Sequence, residues 1–243
     1  MRFLRPLLIT LVLTGSLHGI AKAETRDRQI IRCASYETDP DLAIVSCAAL
    51  LGTGQEPDSV MAQLFYNRAN AYEKKGQVER AIQDYNLAIR LKPDDAMVYN
   101  NRGLAYDDKG QYERAIADYD QAIKLNPANA LSYNNRCWDH AILGKLEQAL
   151  ADCNTSLKLS PGNAGAYDSR GLVYLKLGRS KEAIADYDAA LRLNPGLTGS
   201  LYGRGLAYRL VNNRPNATRD MTAAQQIDPD IANKFATYGV TTP

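Results

Sequence analysis

Histidine is almost missing: the 243 residues hold 2, and one of them lies in the first twenty. Four cysteines occur without a single CxxC pair, so the closely spaced Cys/His ligands that a zinc site needs are absent. No glycine-rich phosphate loop, no GxSxG elbow and no metal-spaced cluster can be found, which removes the usual sequence routes to nucleotide, acyl-transfer and metal chemistry. No lysine-rich run or basic patch appears either, against nucleic acid as the main partner. Tryptophan occurs once, at Trp138. These absences predict a protein without catalytic machinery, cofactor or metal.

One long apolar run is present, Leu7 to Leu17, and it is too short to span a bilayer comfortably. Arg2 and Arg5 precede it and Ala21-Lys22-Ala23 follows it, the layout of a secretory signal cleaved before Glu24. Residues 1–23 are therefore expected to be a signal peptide, and the mature chain a soluble periplasmic protein with no inserted segment; the alternative is a signal kept as an anchor. No cysteine follows the cleavage signal to take a lipid. Without those residues 26 basic side chains stand against 27 acidic ones, so the mature chain is near neutral. An even set of cysteines downstream of an export signal favours disulfides.

What the chain has is a period. Pro93, Pro127, Pro161, Pro195 and Pro229 are 34 residues apart, and Ala81, Ala115, Ala149, Ala183 and Ala217 keep the same step. Tyr72, Tyr106, Tyr174 and Tyr208 do so too, with His140 in the remaining place. Self-similarity at a fixed step means one supersecondary unit stacked on copies of itself.

Counting places from Ala62, Ala96, Ala130, Ala164 and Thr198, small or apolar residues fall at 4, 8 and 11, which is helical spacing. Gly76, Gly110, Gly144, Gly178 and then Asn212 end that helix at place 15, since both types tolerate a left-handed conformation. A second helix carries Ala at 20, a bulky residue at 24 and Ile or Leu at 28, and proline at 32 stops it. Folding this hairpin about its turn sets place 8 against place 24: Ala69 with Tyr85, Gly103 with Tyr119, Gly171 with Tyr187, Gly205 with Met221. A small residue meets a large one each time, so the helices approach closely with the core filled. The third copy alone has Cys137 against Cys153, which predicts a disulfide between its helices.

Arginine at place 7 (Arg68 to Arg204) and aspartate at place 23 (Asp84 to Asp220) recur in all five copies. Their common phase predicts a ladder of structural ion pairs rather than an anion site. His140, at an interior packing place, reads as a core histidine.

The pattern resembles the tetratricopeptide repeat family, with small residues at 8, 20 and 27, aromatics at 4, 11 and 24, and proline at 32. More narrowly, the signal, the Cys33–Cys47 leader and the NRG-type repeats are similar to small exported tetratricopeptide proteins of Gram-negative bacteria. The resemblance implies an all-α solenoid of five hairpins in a right-handed superhelix, at 62–95, 96–129, 130–163, 164–197 and 198–231. A helical cap at 24–61, stapled by Cys33–Cys47, would precede them, and a tail at 232–243 would follow. That tail is short for a capping helix, but Phe235, Tyr238 and Val240 could fold back over the fifth repeat.

The resemblance also implies that the first helices line a concave face. There the chain places Tyr66, Asn67 and Asn70, then Asn100, Asn101 and Leu104. Asn134, Asn135 and Trp138 follow, and then Asp168 and Ser169. Carboxamides both donate and accept, and so can hold an extended backbone without reading its sequence. Trp138 would anchor an apolar side chain. The expected function is a non-enzymatic scaffold binding a protein or peptide partner. A self-assembling structural module (a homo-oligomer through an open solenoid end) is the first alternative, and an enzyme on a repeat scaffold the second.

Overall fold

The structure, a computed structural model, describes residues 25–240. The expected signal peptide lies outside the described residues. Among these, all regular structure is helical: thirteen helices and no strand. The chain falls into two compact units, Met1–Asp94 and Asp95–Pro243.

The described part of the first unit opens with α1, helical over 25–33, and α2, Pro40–Gly52. The turn between them is set by Asp39, whose carboxylate accepts the Leu42 N–H at 3.0 Å, and by Pro40 in the first helical turn. Cys33 and Cys47 are joined across this hairpin with Cα atoms 4.8 Å apart, and both are buried with Leu50 and Leu64. Helix α2 packs on α3 (Asp58–Lys74), and α3 pairs with α4 (Val78–Leu91) to form the first repeat hairpin.

The second unit holds four further hairpins. These are α5/α6 (Ala96–Asp107, Tyr112–Leu125) and α7/α8 (Ala130–Ile142, Leu146–Leu159), then α9/α10 (Ala164–Lys176, Ser180–Leu193) and α11/α12 (Thr198–Leu210, Arg214–Ile227). Each first helix also packs on the first helix of the next hairpin, α5 on α7, α7 on α9 and α9 on α11. The hairpin turns share one mechanism. The residue after the left-handed glycine donates its N–H back to the place-11 carbonyl, as in Gln111 to Tyr106 at 2.9 Å and Lys145 to His140 at 2.8 Å. Asn212 takes the same conformation at φ 60° where the fifth copy lacks glycine.

The small-against-large pairing is the core of each hairpin. A Cβ on Gly103 would lie 2.5 Å from Tyr119, on Gly171 2.8 Å from Tyr187, and on Gly205 2.6 Å from Met221. In α7/α8 the disulfide Cys137–Cys153, with Cα atoms 5.4 Å apart, stands where α5/α6 and α9/α10 put glycine and a tyrosine ring.

The charge ladder lies beside this core. Arg102 grips Asp118 through two bonds at 2.7 and 2.6 Å, Arg136 grips Asp152 at 2.9 and 2.6 Å, and Arg170 grips Asp186 at 2.6 and 2.8 Å. Arg68 does the same to Asp84 in the first unit, and Arg204 reaches Asp220 at 2.6 Å. A third guanidinium nitrogen crosses to the preceding hairpin, from Arg136 to Asp120, Arg170 to Asn154 and Arg204 to Asp188. The aspartates are buried, so deleting one arginine would strand a carboxylate, at a cost of about 3–5 kcal/mol.

Helix α13 (Ile231–Thr237) closes the unit, burying Ile231 and Phe235 among Tyr202, Leu206 and Ala224. The chain then runs on past the fifth repeat, and Tyr238 reaches the third hairpin.

Candidate functional site

In the first unit the expected groove residues are not at a surface. Tyr66, Asn67 and Asn70 are buried. Asn67 accepts from Gln63 at 2.9 Å and its amide contacts the Cys33 sulfur at 3.9 Å, while Asn70 accepts the Tyr85 hydroxyl at 2.5 Å. Helix α2 packs on α3, and these carboxamides satisfy interior groups.

The second unit brings the others together on the first helices. Asn100 is buried: it donates to the Asn101 carbonyl at 3.2 Å and accepts from Ser132 Oγ at 2.9 Å and Asn135 Nδ2 at 3.3 Å. That network ties α5 to α7. A cavity of about 600 Å³ opens beside it, lined by Met97, Asn100, Asn101, Asn129, Leu131 and Asn163 among others. Met97 and Leu131 are 60 % and 58 % exposed, an apolar floor next to carboxamides. Both sit one residue into their helices, N-capped by Asp95 and Asn129. The floor was readable in principle: place 2 is apolar only in these two copies.

Leu104 is exposed on α5 outside this cavity. Asn134 is half-buried, and its side-chain oxygen accepts from no donor among the described residues. Ser169 is buried, and Asp168 accepts from Ser200 Oγ; burial pushes the Asp168 carboxyl up to about 6. Trp138 is partly buried and already covered: the ring of Tyr238 meets it edge-on with centroids 5.0 Å apart. Lys176 Nζ, at the end of α9, donates to the carbonyls of Ala141 at 2.6 Å and Tyr238 at 2.7 Å. The tail thus occupies the place expected for a partner's side chain. Its residues carry no period, so nothing in their spacing tells where they dock.

Two titratable groups stand apart. His140 Nδ1 lies 3.1 Å from Asp152, inside the ladder, and burial holds its pKa below the ordinary imidazole value. Asp139 on α7 is wholly buried against Asp107 of α5, and neither Asp139 oxygen meets a donor N–H or O–H among the described residues. Asp107 accepts the Tyr119 hydroxyl at 2.5 Å. Burial first, then the neighbouring Asp107 carboxylate, pushes Asp139 up to about 9, so the pair shares a proton at neutral pH. No described group of three or more His, Cys, Asp or Glu is arranged to hold a metal ion.

A family profile described as tetratricopeptide repeat matches residues 96–129 and 166–197, and one described as TPR repeat matches 69–110. The first of these profiles falls on the second and fourth hairpins. Residues 69–129 and 166–197 match tetratricopeptide repeats, and the described helices share that fold. Solved structures agree on the fold. PilW, titled a widely conserved type IV pilus biogenesis factor, is 18 % identical over 88 % of this chain and 99 % of its own, with a TM-score of 0.72. PilF of Pseudomonas aeruginosa is 19 % identical over 89 % and 98 %, with a TM-score of 0.71. YrrB, titled a TPR protein with an unusual peptide-binding site, is 21 % identical over 79 % and 98 %, with a TM-score of 0.58. At these identities the likeness concerns the fold. No curated protein matches the chain. No helix among the described residues is long and apolar enough to cross a membrane.

Proposed function

We propose that this chain is a non-enzymatic interaction scaffold of the cell envelope, which holds a peptide segment of a partner protein against the first helices of its second unit. The observation that carries this reading is the cavity where exposed Met97 and Leu131 lie beside Asn100 and Asn101. Apolar side chains supply affinity and carboxamides supply main-chain hydrogen bonds, so an extended segment is held with little demand on its sequence. Asn100 is spent on Ser132 and Asn135, which makes these three the brace; Asn101, Met97 and Leu131, which line the cavity, are the residues assigned to the partner. YrrB, titled for its peptide-binding site, offers a precedent on this fold. The signal-like layout of residues 1–23 and the two cysteine pairs support the envelope setting.

The test is affinity capture from an envelope extract, repeated with Met97→Ala, Asn101→Ala and Leu131→Ala together. Loss of a defined partner, by at least about tenfold in recovered amount (about 1.4 kcal/mol), is expected. Undiminished capture of the same partner would move the interface elsewhere.

A further inference from the structure

The fifth hairpin departs from the others in charge. Residues 198–227 carry Arg204, Arg209, Arg214 and Arg219 against one acidic residue, Asp220. Arg204 is held by Asp220 and Asp188, and Arg219 donates to Asp220 at 2.9 Å. The guanidinium groups of Arg209 and Arg214 are exposed, and they make neither an ion pair nor a hydrogen bond among the described residues. In the fourth hairpin the turn arginine, Arg179, is matched by Glu182 at 2.9 Å, whereas the first turn of α12 holds no acidic residue.

The two arginines border a cavity of about 390 Å³. Arg209 comes from the end of α11, Asn212 from the turn, and Arg214, Thr218 and Met221 from the start of α12. Place 21, Thr218 here, holds Ile82, Ile116, Leu150 and Ile184 in the other copies. Leu150 and Ile184 pack on cores shared with the hairpin that follows. Helix α12 packs on α11 and α13 alone among the described residues, and Arg214 and Thr218 are exposed. Leu210 and Val211, between Arg209 and Asn212, are exposed as well.

A hairpin face turned to water needs only polar groups, of either sign. Unpaired charge of one sign around a concavity, with exposed apolar side chains beside it, suits an opposite charge on an incoming surface. Arginine forks match carboxylates through two parallel hydrogen bonds, and Asn212 and Thr218 offer donors and acceptors to a main chain. An anionic lipid surface is met by clusters of about four to eight cations, against the two unpaired guanidinium groups here.

We propose that the turn of the fifth hairpin is a second docking site, for an acidic segment of the partner in which carboxylates alternate with apolar side chains. Arg209 and Arg214 take the carboxylates, and Leu210 and Val211 take the apolar side chains. The proposal rests on the reading of the chain as a peptide-holding scaffold, but it uses none of the residues of the cavity at the starts of α5 and α7.

The probe is a fluorescein-labelled hexapeptide alternating glutamate with leucine, followed by fluorescence anisotropy on the full chain at low salt. The control peptide has glutamine for glutamate. The acidic peptide should bind at least about tenfold more tightly than the control, and added salt should erase the difference. Arg209→Gln with Arg214→Gln should remove the preference at an unchanged melting temperature. Arg32→Gln with Arg90→Gln, both exposed, takes the same charge from the first unit and should leave the preference intact. Equal binding of the two peptides by the wild type would overturn the site, as would a preference that survives Arg209→Gln with Arg214→Gln. Equal loss in both arginine pairs would assign the effect to net charge and overturn it too. A preference lost instead with Met97→Ala, Asn101→Ala and Leu131→Ala together would put the peptide in the first cavity and leave no second site. Sedimentation with phosphatidylglycerol vesicles through Arg209 and Arg214, without preference for the acidic peptide, would give the turn to a lipid surface and overturn the acidic segment. Envelope capture through Met97, Asn101 and Leu131 reports on the first cavity alone, so a failed second site with that capture intact leaves the peptide-holding reading standing.

Discussion

Asp139 shows what one residue can hide. Its place in the repeat predicts nothing, because the carboxyl matters only through Asp107, a residue of a different hairpin. The Gly103–Tyr119 and Gly171–Tyr187 contacts, by contrast, follow from counting places, since each pair lies within one hairpin. Asp139 is faced by Asp107 on α5 and by Tyr112, Glu113 and Tyr119 on α6. A carboxyl whose folded pKa lies above its unfolded value of about 3.9 stabilises the fold fully below that value, and the contribution is lost as pH rises through the folded pKa. Asp168, pushed up only to about 6, has finished titrating by pH 7.5, and His140, held low, is neutral there. Urea unfolding should therefore show stability falling from pH 7.5 to 9.5. Asp139→Asn gives Asp107 an amide donor and should flatten that fall by at least about 1.4 kcal/mol, the equivalent of one pKa unit. An equal fall in both proteins would mean that the pair does not hold its proton.

Elements were legible where they obey the period and obscure where they depart from it. Glycine at place 15 and proline at place 32 mark where most of the repeat helices stop, and the structure ends them there with the same backbone bond each time. By spacing alone the asparagines of the first helices share one face. Packing of α2 on α3 buries Asn67 and Asn70, and Asn100 is consumed between α5 and α7, because a carboxamide satisfies a neighbouring helix as readily as a ligand. The Cys137–Cys153 bond is the element-scale departure that the period itself exposes. It closes 16 residues, for which the chain-entropy contribution is about 3 kcal/mol. Changing Cys137 to Gly and Cys153 to Tyr restores the pair used by the second and fourth hairpins. Reductant should lower the melting temperature of the wild type by several degrees more than that of this variant. Equal shifts would show that the bridge adds no stability.

At the scale of the molecule, the two cysteine pairs link stability to the redox state in which the chain folds. Both cysteine pairs are wholly buried at disulfide distance, one in the cap hairpin and one in the middle of the second unit. Buried thiols on packed helices lack the exposure that exchange needs, so oxidation after folding is slow and oxidation during folding is favoured. Residues 1–23 have the layout expected of a secretory signal, and the proposed coupling of export to oxidation yields a prediction about the whole chain. Protein recovered from the envelope after expression of the full chain should begin at Glu24 and titrate no thiol in denaturant. The same chain without residues 1–23, retained in a reducing cytoplasm, should titrate four thiols. Its circular dichroism should remain helical, since the ladder and the small-against-large core do not need the bridges, but it should melt several degrees lower. Adding an oxidant to the folded reduced protein should recover that stability only slowly, with local opening limiting the rate. A protein that titrates no thiol when made in the cytoplasm would separate the bridges from export, and a start at Met1 in the envelope fraction would make residues 1–23 an anchor.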